Sequence, residues 1–213
     1  MHPAWGLVLG YVLGSIPFAW LAGRARNVDL RQHGSGNLGA TNAVRVLGAR
    51  IGGAVYLLDT MKGFVAAFAL PRVLGVAPGG VWAIAFGVAA VAGHVRPLFL
   101  GFQRGGKGVA TAGGVFFGLA PLAAGIAFVV FGLAFVTTGY ASVGSMAAAV
   151  TLPLAILFFQ AGASLALVAV AAAMAVFVFW VHRTNIARLR RGEEHRFDLL
   201  RRRRTPASGS QPN

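Results

Sequence analysis

The chain has 213 residues, a formal net charge of +14 and no cysteine, and it is 57% hydrophobic and only 11% charged, with a mean hydropathy of +0.71. Its apolar residues come in runs of roughly 17 to 22 with almost no charge, which excludes an ordinary soluble domain and marks a polytopic helical membrane protein. Zero cysteine also excludes disulfides, thiolate metal sites and a cysteine nucleophile.

In chain order, the first apolar run, Trp5 to Leu21, has no basic residue before it and reads as a retained helix over 4–23 rather than a cleaved signal. Further spans are expected at 51–71, 80–100, 121–138, 142–160 and 164–182, with polar blocks at 24–50, 101–108 and 183–213. Arg24, Arg26, Arg31, Arg45 and Arg50 lie in the first block, Arg96, Arg104 and Lys107 around the second, and the tail carries most of the rest. The positive-inside bias puts all three blocks on the cytoplasmic side and the links near 72–80 and 160–164 outside.

Six crossings from an outside N-terminus would leave the arginine tail outside, so a seventh is required. It falls at 108–120, because Pro121 ends a helix at Ala120, and a helix of that length rises only ~18 Å. The expected fold is an all-α polytopic membrane protein with seven transmembrane helices, N-terminus outside and C-terminus cytoplasmic. Residues 1–198 form the membrane domain, and 199–213 a basic, disordered cytoplasmic tail. Nine of the nineteen basic residues follow Val181, which reads as an anchor on anionic membrane lipids and not as a nucleic-acid surface.

The same parity gathers three polar motifs on one face. In GGKGVAT, residues 105 to 111, glycines let backbone N–H groups converge on an anion at a helix start and Lys107 adds a full charge. Gly105, Gly106, Lys107 and Gly108 are therefore candidate phosphate ligands, with a plain glycine-rich helix start as the alternative. The pattern is not the Walker loop and no strand precedes it, so a nucleotide fold is unsupported. In HRTN, 182 to 185, the i, i+3 spacing puts His182 and Asn185 on one helical face, with Arg188 one turn later. In HGSGNLGATN, 33 to 42, Gly34, Gly36 and Gly39 permit close approach, and Ser35, Asn37, Thr41 and Asn42 supply neutral donors and acceptors. Arg45, at the start of a short interfacial helix, can hold a phosphate or carboxylate bidentately.

Asp59 and Lys62, mid-helix at i, i+3, read as an internal ion pair, and His94 as a cap or a snorkelling residue. Ser142 and Ser145 read as small residues for close helix packing, with Ser145 also placed to touch a ligand.

On these blocks the chain resembles the bacterial acyl-phosphate-dependent glycerol-3-phosphate acyltransferases. The match runs from GYVLGSIPFAWLAGR at residue 10 through VDLRQHGSGNLGATNAVRVLG, LLDTMKG, GHVRPLFLGFQRGGKGVAT and HRTNIARLRRGEE, up to about Asp198. One departure is Gly139 before Tyr140, where family members often carry a basic residue. The resemblance implies seven membrane helices in the bacterial cytoplasmic membrane, an active site toward the cytoplasm, and no metal or cofactor. It implies transfer of a fatty acyl group from acyl phosphate to the 1-hydroxyl of sn-glycerol 3-phosphate, giving 1-acylglycerol 3-phosphate and inorganic phosphate, and a functional link to the enzyme that makes acyl phosphate.

Carried over residue by residue, the family's motifs put Ser35, Asn37, Thr41 and Arg45 around the reacting groups and Gly105, Gly106, Lys107 and Gly108 at phosphate. They put His182 and Asn185 at glycerol phosphate, and Glu193 falls on the third motif's acid. Ser35, Lys107, His182 and Asn185 are the expected catalytic residues; Asn42 and Ser145 join the expected substrate contacts. Acyl phosphate is a mixed anhydride and needs no covalent intermediate; the hydroxyl proton goes either to His182 or to a donor phosphate oxygen, and the lack of a carboxylate near the motifs favours the phosphate. The competing reading is a phosphate or organic-anion transporter, which would place its site near the midplane.

Overall fold

The structure, a computed structural model, describes residues 2–198; the expected tail, 199–213, lies outside the described residues. Every regular element among the described residues is helical. Helices α1 (Ala4–Gly14) and α2 (Phe18–Arg24) together make the first span, interrupted at Pro17, which has no N–H to continue the helix. An amphipathic α3 (Ala40–Leu47) follows the HGSGN loop, and α4 (Ala49–Phe64) passes through a π-helical turn, Val65–Ala69, into α5 (Leu70–Val73). Pro71 lies just beyond that turn, where the widened register accommodates the missing donor.

After α6 (Val81–Val95) comes a loop holding the glycine-rich motif, then α7 (Val109–Leu119). The break at Ala120 falls where Pro121 requires it, with proline at the start of α8 (Pro121–Thr138). Gly139, at φ +78, ends α8 in the left-handed region and turns the chain into α9 (Ala141–Phe159). Ser164 caps α10 (Leu165–Val181), its Oγ accepting the Leu167 N–H at 3.2 Å, worth about 1 kcal/mol. The chain then bends by 53° at His182 into α11 (Arg183–Arg190).

Five segments are long and apolar enough to cross a membrane: Ala4–Arg24, Ala49–Val73, Val81–Leu100, Pro121–Thr138 and Ala141–Phe159. The bent α10–α11 pair brings the number to as many as six, and α7 is an apolar helix too short to count alone. Large apolar side chains such as Leu165 (83% exposed), Phe158 (79%) and Val176 (71%) point outward, the arrangement expected where lipid is the solvent.

With no hydrophobic drive between helices in lipid, close backbone approach has to hold them together. Gly6, Gly10 and Gly14 run down one face of α1, and a Cβ on any of them would strike the Phe86 ring, the Phe86 carbonyl or the Ala90 carbonyl of α6. Gly63 of α4 and Gly114 of α7 are reciprocal: each would drive a methyl into the other helix's backbone, at Thr111 and Thr60. These contacts align α4, α6 and α7 so that the start of α4, the end of α6 and the start of α7 meet at one end of the bundle. The α8–α9 turn and α11 arrive at that end too.

Candidate active site

The pocket at this end is lined by residues from all three polar blocks, among them Ser35, Asn37, Arg45, Lys107, His182 and Asn185. Thr41 and Asn42 of α3, Gly108 at the start of α7 and Ser145 of α9 also face it.

The HGSGN loop is held by a single side chain. Asn42, buried in α3, accepts the Ser35 N–H at 2.9 Å and donates from Nδ2 to the carbonyls of Leu30 and His33, both at 3.1 Å. Both its amide hydrogens and one Oδ1 lone pair are engaged by backbone, so Asn42 positions the loop from its place on the pocket wall. Gly34, at φ +62, crosses beside it, where a Cβ would meet Asn42 Oδ1. The anchored loop presents Ser35 and Asn37 to the pocket beside Arg45. Arg45 Nε is buried with no hydrogen-bond partner, and its guanidinium lies 5.7 Å from the Phe197 ring centroid. Burial pushes the Arg45 pKa down and Glu194 partly opposes it, so a charge that burial disfavours faces the pocket with its Nε bond unmade.

The glycine-rich motif works differently from its sequence expectation. The Gly105 N–H donates to Val95 O at 2.9 Å and the Gly106 N–H to His94 O at 3.3 Å, so neither amide is free for an anion. Both residues are glycine because the chain passes under α6: a Cβ on Gly105 would hit the His94 carbonyl, and one on Gly106 the His94 ring. The groups that do face the pocket are Lys107, Gly108, in the left-handed region at φ +80, and Val109 and Ala110 at the start of α7, where helix N–H groups lack helical acceptors.

Lys107 Nζ donates to Asn185 Oδ1, and Asn185 Nδ2 in turn donates to Glu194 Oε1 at 2.6 Å. Arg188 Nε holds Glu194 Oε2 at 2.7 Å, and Ser142 Oγ reaches Glu194 Oε1 at 3.3 Å. Burial holds the Lys107 amine down at about 8; Glu194 opposes this, and Arg188, Arg104 and Arg45 add to it. Burial works the other way on Glu194, yet the bonds from Arg188 and Asn185 hold its pKa below the usual carboxylate range.

The sequence expectation put the third motif's acid at Glu193. That side chain is instead 57% exposed and pairs with Arg191 at 2.7 Å, whereas Glu194 turns into the pocket.

His182 sits where α10 bends into α11. Its Nδ1 lies 2.8 Å from Val178 O, and since a carbonyl can only accept, Nδ1 carries the hydrogen and Nε2 is left as an acceptor in the neutral ring.

Beneath this layer lies a buried ionic cluster. Lys62 Nζ is 2.8 Å from Asp59 Oδ1 and donates to Ile16 O at 2.9 Å, at the break between α1 and α2. The internal pair expected at Asp59 and Lys62 is therefore present. It also has a third member: His94 is buried, not snorkelling, with Nδ1 3.4 Å from the same Asp59 oxygen, and Asp59 and His94 line the pocket floor. Ser145 Oγ donates back to Ala141 O at 2.8 Å, which leaves its oxygen on the pocket wall able only to accept. Among the described residues no group of three or more His, Cys, Asp or Glu is disposed to hold a metal ion.

Known proteins share this sequence and arrangement. The profile of the family described as glycerol-3-phosphate acyltransferase matches residues 4–192. Relatives carrying that name include one from Geobacter metallireducens, 49% identical over 187 residues (88% of this chain, 93% of the relative), and one from Aquifex aeolicus, 41% identical over 193 residues (90% and 97%). Two crystal structures of PlsY, an integral membrane glycerol 3-phosphate acyltransferase, superpose on this fold. The glycerol 3-phosphate form has a TM-score of 0.86 at 38% identity, covering 94% of this chain and 98% of that one. The lysophosphatidic acid form has a TM-score of 0.83 at 37% identity, covering 94% and 97%. The chain belongs to the glycerol-3-phosphate acyltransferase family of integral membrane proteins.

Proposed function

We propose that this protein transfers a fatty acyl group from acyl phosphate to the 1-hydroxyl of sn-glycerol 3-phosphate, releasing 1-acylglycerol 3-phosphate and inorganic phosphate. The observation that carries this reading is a cationic pocket continuous with an apolar groove: Tyr56, Val109, Phe131 and Ser145 line both. A substrate pair with two phosphates and one acyl chain fits that shape.

Lys107 and the start of α7 take the donor's phosphate, and Arg45, with its unmade Nε bond, takes the phosphate of the acceptor. Holding both anions brings the hydroxyl to the carbonyl, and the fixed cations stabilise the charge that builds up as it attacks. The C–O bond to the glycerol oxygen forms, the bond from the carbonyl carbon to the phosphate oxygen breaks, and the proton must leave the hydroxyl. His182 Nδ1 is committed to Val178 O, while an oxygen of the departing phosphate gains basicity as its bond to the carbonyl carbon breaks. His182 Nε2 therefore orients the hydroxyl by accepting its hydrogen bond, and the donor phosphate takes the proton. Asn185 and Glu194 hold Lys107 in place.

The seven-crossing topology, with the N-terminus outside and this pocket on the cytoplasmic side of a bacterial cytoplasmic membrane, belongs to the same reading and rests on the arginine distribution. The deciding experiment gives purified protein in detergent palmitoyl phosphate or palmitoyl-CoA with glycerol 3-phosphate. Phosphate release with the former and none with the thioester is expected. A transporter would need a sealed vesicle and would release nothing in detergent.

A further inference from the structure

The apolar groove has a definite depth. Its walls come from four antiparallel helices: α7 from Val109 to Phe117, α8 from Phe131 to Ala124, α9 from Ser145 to Leu152 and α10 from Val178 to Ala171. In each pair the first residue lies at the end shared with, or nearest to, the polar pocket. At 1.5 Å of rise per residue each wall is between about 10 and 12 Å deep. The floor is closed, since Phe116 (1% exposed), Leu152 and Ala171 lie at the bottom of the groove and Leu119, Ile156 and Leu167 pack beneath them into the same core. The wall by Phe128, 49% exposed, gives onto the lipid-facing surface.

An extended carbon chain advances roughly 1.2 Å per bond. We propose that, given the acyl substrate proposed above, the groove measures only the first nine or so carbons of the chain, that the remainder turns out into the bilayer where the rings of Phe117 and Phe128 meet at 6.2 Å near its deep end, and that Gly113 keeps this length open. Gly113 lines the groove, and a Cβ there would meet nothing within 4 Å, so this glycine keeps open space rather than a helix contact. It lies about 6 Å below Val109, level with Ala149 on the facing wall about 6 Å below Ser145. A leucine at either position would block the groove at about five carbons.

The test uses acyl phosphates of six to sixteen carbons in nanodiscs, with Gly113→Leu and Ala149→Leu compared with the unaltered protein. Burial of a methylene is worth about fourfold, so kcat/KM should climb by about that factor per carbon up to a chain of about ten and then level. In both variants the break should fall to about six carbons, with KM for glycerol 3-phosphate unchanged. Taking the variant-to-unaltered ratio at each length cancels partitioning into the bilayer. A profile that rises evenly to sixteen carbons, or one whose break both variants leave in place, overturns the proposal. Affinities for 1-acylglycerol 3-phosphates of the same lengths should break at the same carbon. That measurement does not involve the donor: if no acyl phosphate is turned over while the binding series breaks at about ten, the donor assignment fails and the measured length stands.

Discussion

Lys107 lies where charge, burial and the proposed chemistry oppose one another, so it carries the sharpest prediction. In the unliganded protein its amine is held at about 8 instead of 10.5. That drop corresponds to about 3 kcal/mol by which folding disfavours the charged form. Because the folded-state pKa is below the unfolded one, the penalty is fully present below pH 8 and fades as the pH rises from there to 10.5.

Replacing the amine by an apolar chain of similar length removes the penalty and the anion site together. Lys107→Met should unfold several degrees higher than the unaltered protein at pH 7, while its kcat/KM falls on the order of 10² to 10³. The unaltered enzyme should also lose kcat/KM for acyl phosphate tenfold per unit above about pH 8, a range in which the substrate phosphates are already dianionic. Lys107→Arg, charged throughout, should lack that alkaline limb whatever its absolute rate. Activity is measured per monodisperse molecule in detergent, with unfolding followed in the same buffer. Near-normal turnover by Lys107→Met, or an alkaline limb retained in Lys107→Arg, would refute the assignment of Lys107 to the anion.

Arg45→Ala should raise KM for glycerol 3-phosphate by 10- to 100-fold while changing kcat far less, about the worth of one charge-assisted contact; steady-state kinetics at saturating donor reads the split. Glu194→Gln should lower turnover about tenfold, by releasing Arg188 and Asn185, and Glu193→Gln should stay within about twofold, because its partner Arg191 lies in water. Lys62→Ala leaves Asp59 buried and short of a cation, at a cost of about 3 to 5 kcal/mol. It should lower the unfolding temperature by on the order of 10 °C, well beyond any change in activity per folded molecule. Cysteines introduced at Arg26 and Ala77 should label oppositely with an impermeant reagent in whole cells, Ala77→Cys from outside; labelling of both would sink the topology.

Much of the molecule was legible in the order of its residues because lipid simplifies the code. Length of apolar run, position of proline and placement of arginine gave the breaks at Pro121 and the bounds of α8 to α10 nearly to the residue, and they gathered Arg45, Lys107, His182 and Asn185 at one end before any contact was known. The α1–α2 break at Pro17 was missed because a run of apolar residues looks continuous across a proline whose helix fragments stay aligned.

The site's finer parts were illegible for a different reason: they depend on where backbone groups go. Gly105 and Gly106 look like an anion cradle, and only the carbonyls of His94 and Val95, on another element, reveal that their amides are already bonded. Asn42 looks like a ligand, and only its three backbone partners reveal that it positions the loop. In Glu193 and Glu194 the sequence offers two identical side chains with no helical period to separate them, and the turn after α11 sends one to water and the other to Arg188. Parity and charge find the cationic face, but the assignment of individual donors there waits on which backbone valences the fold has left empty.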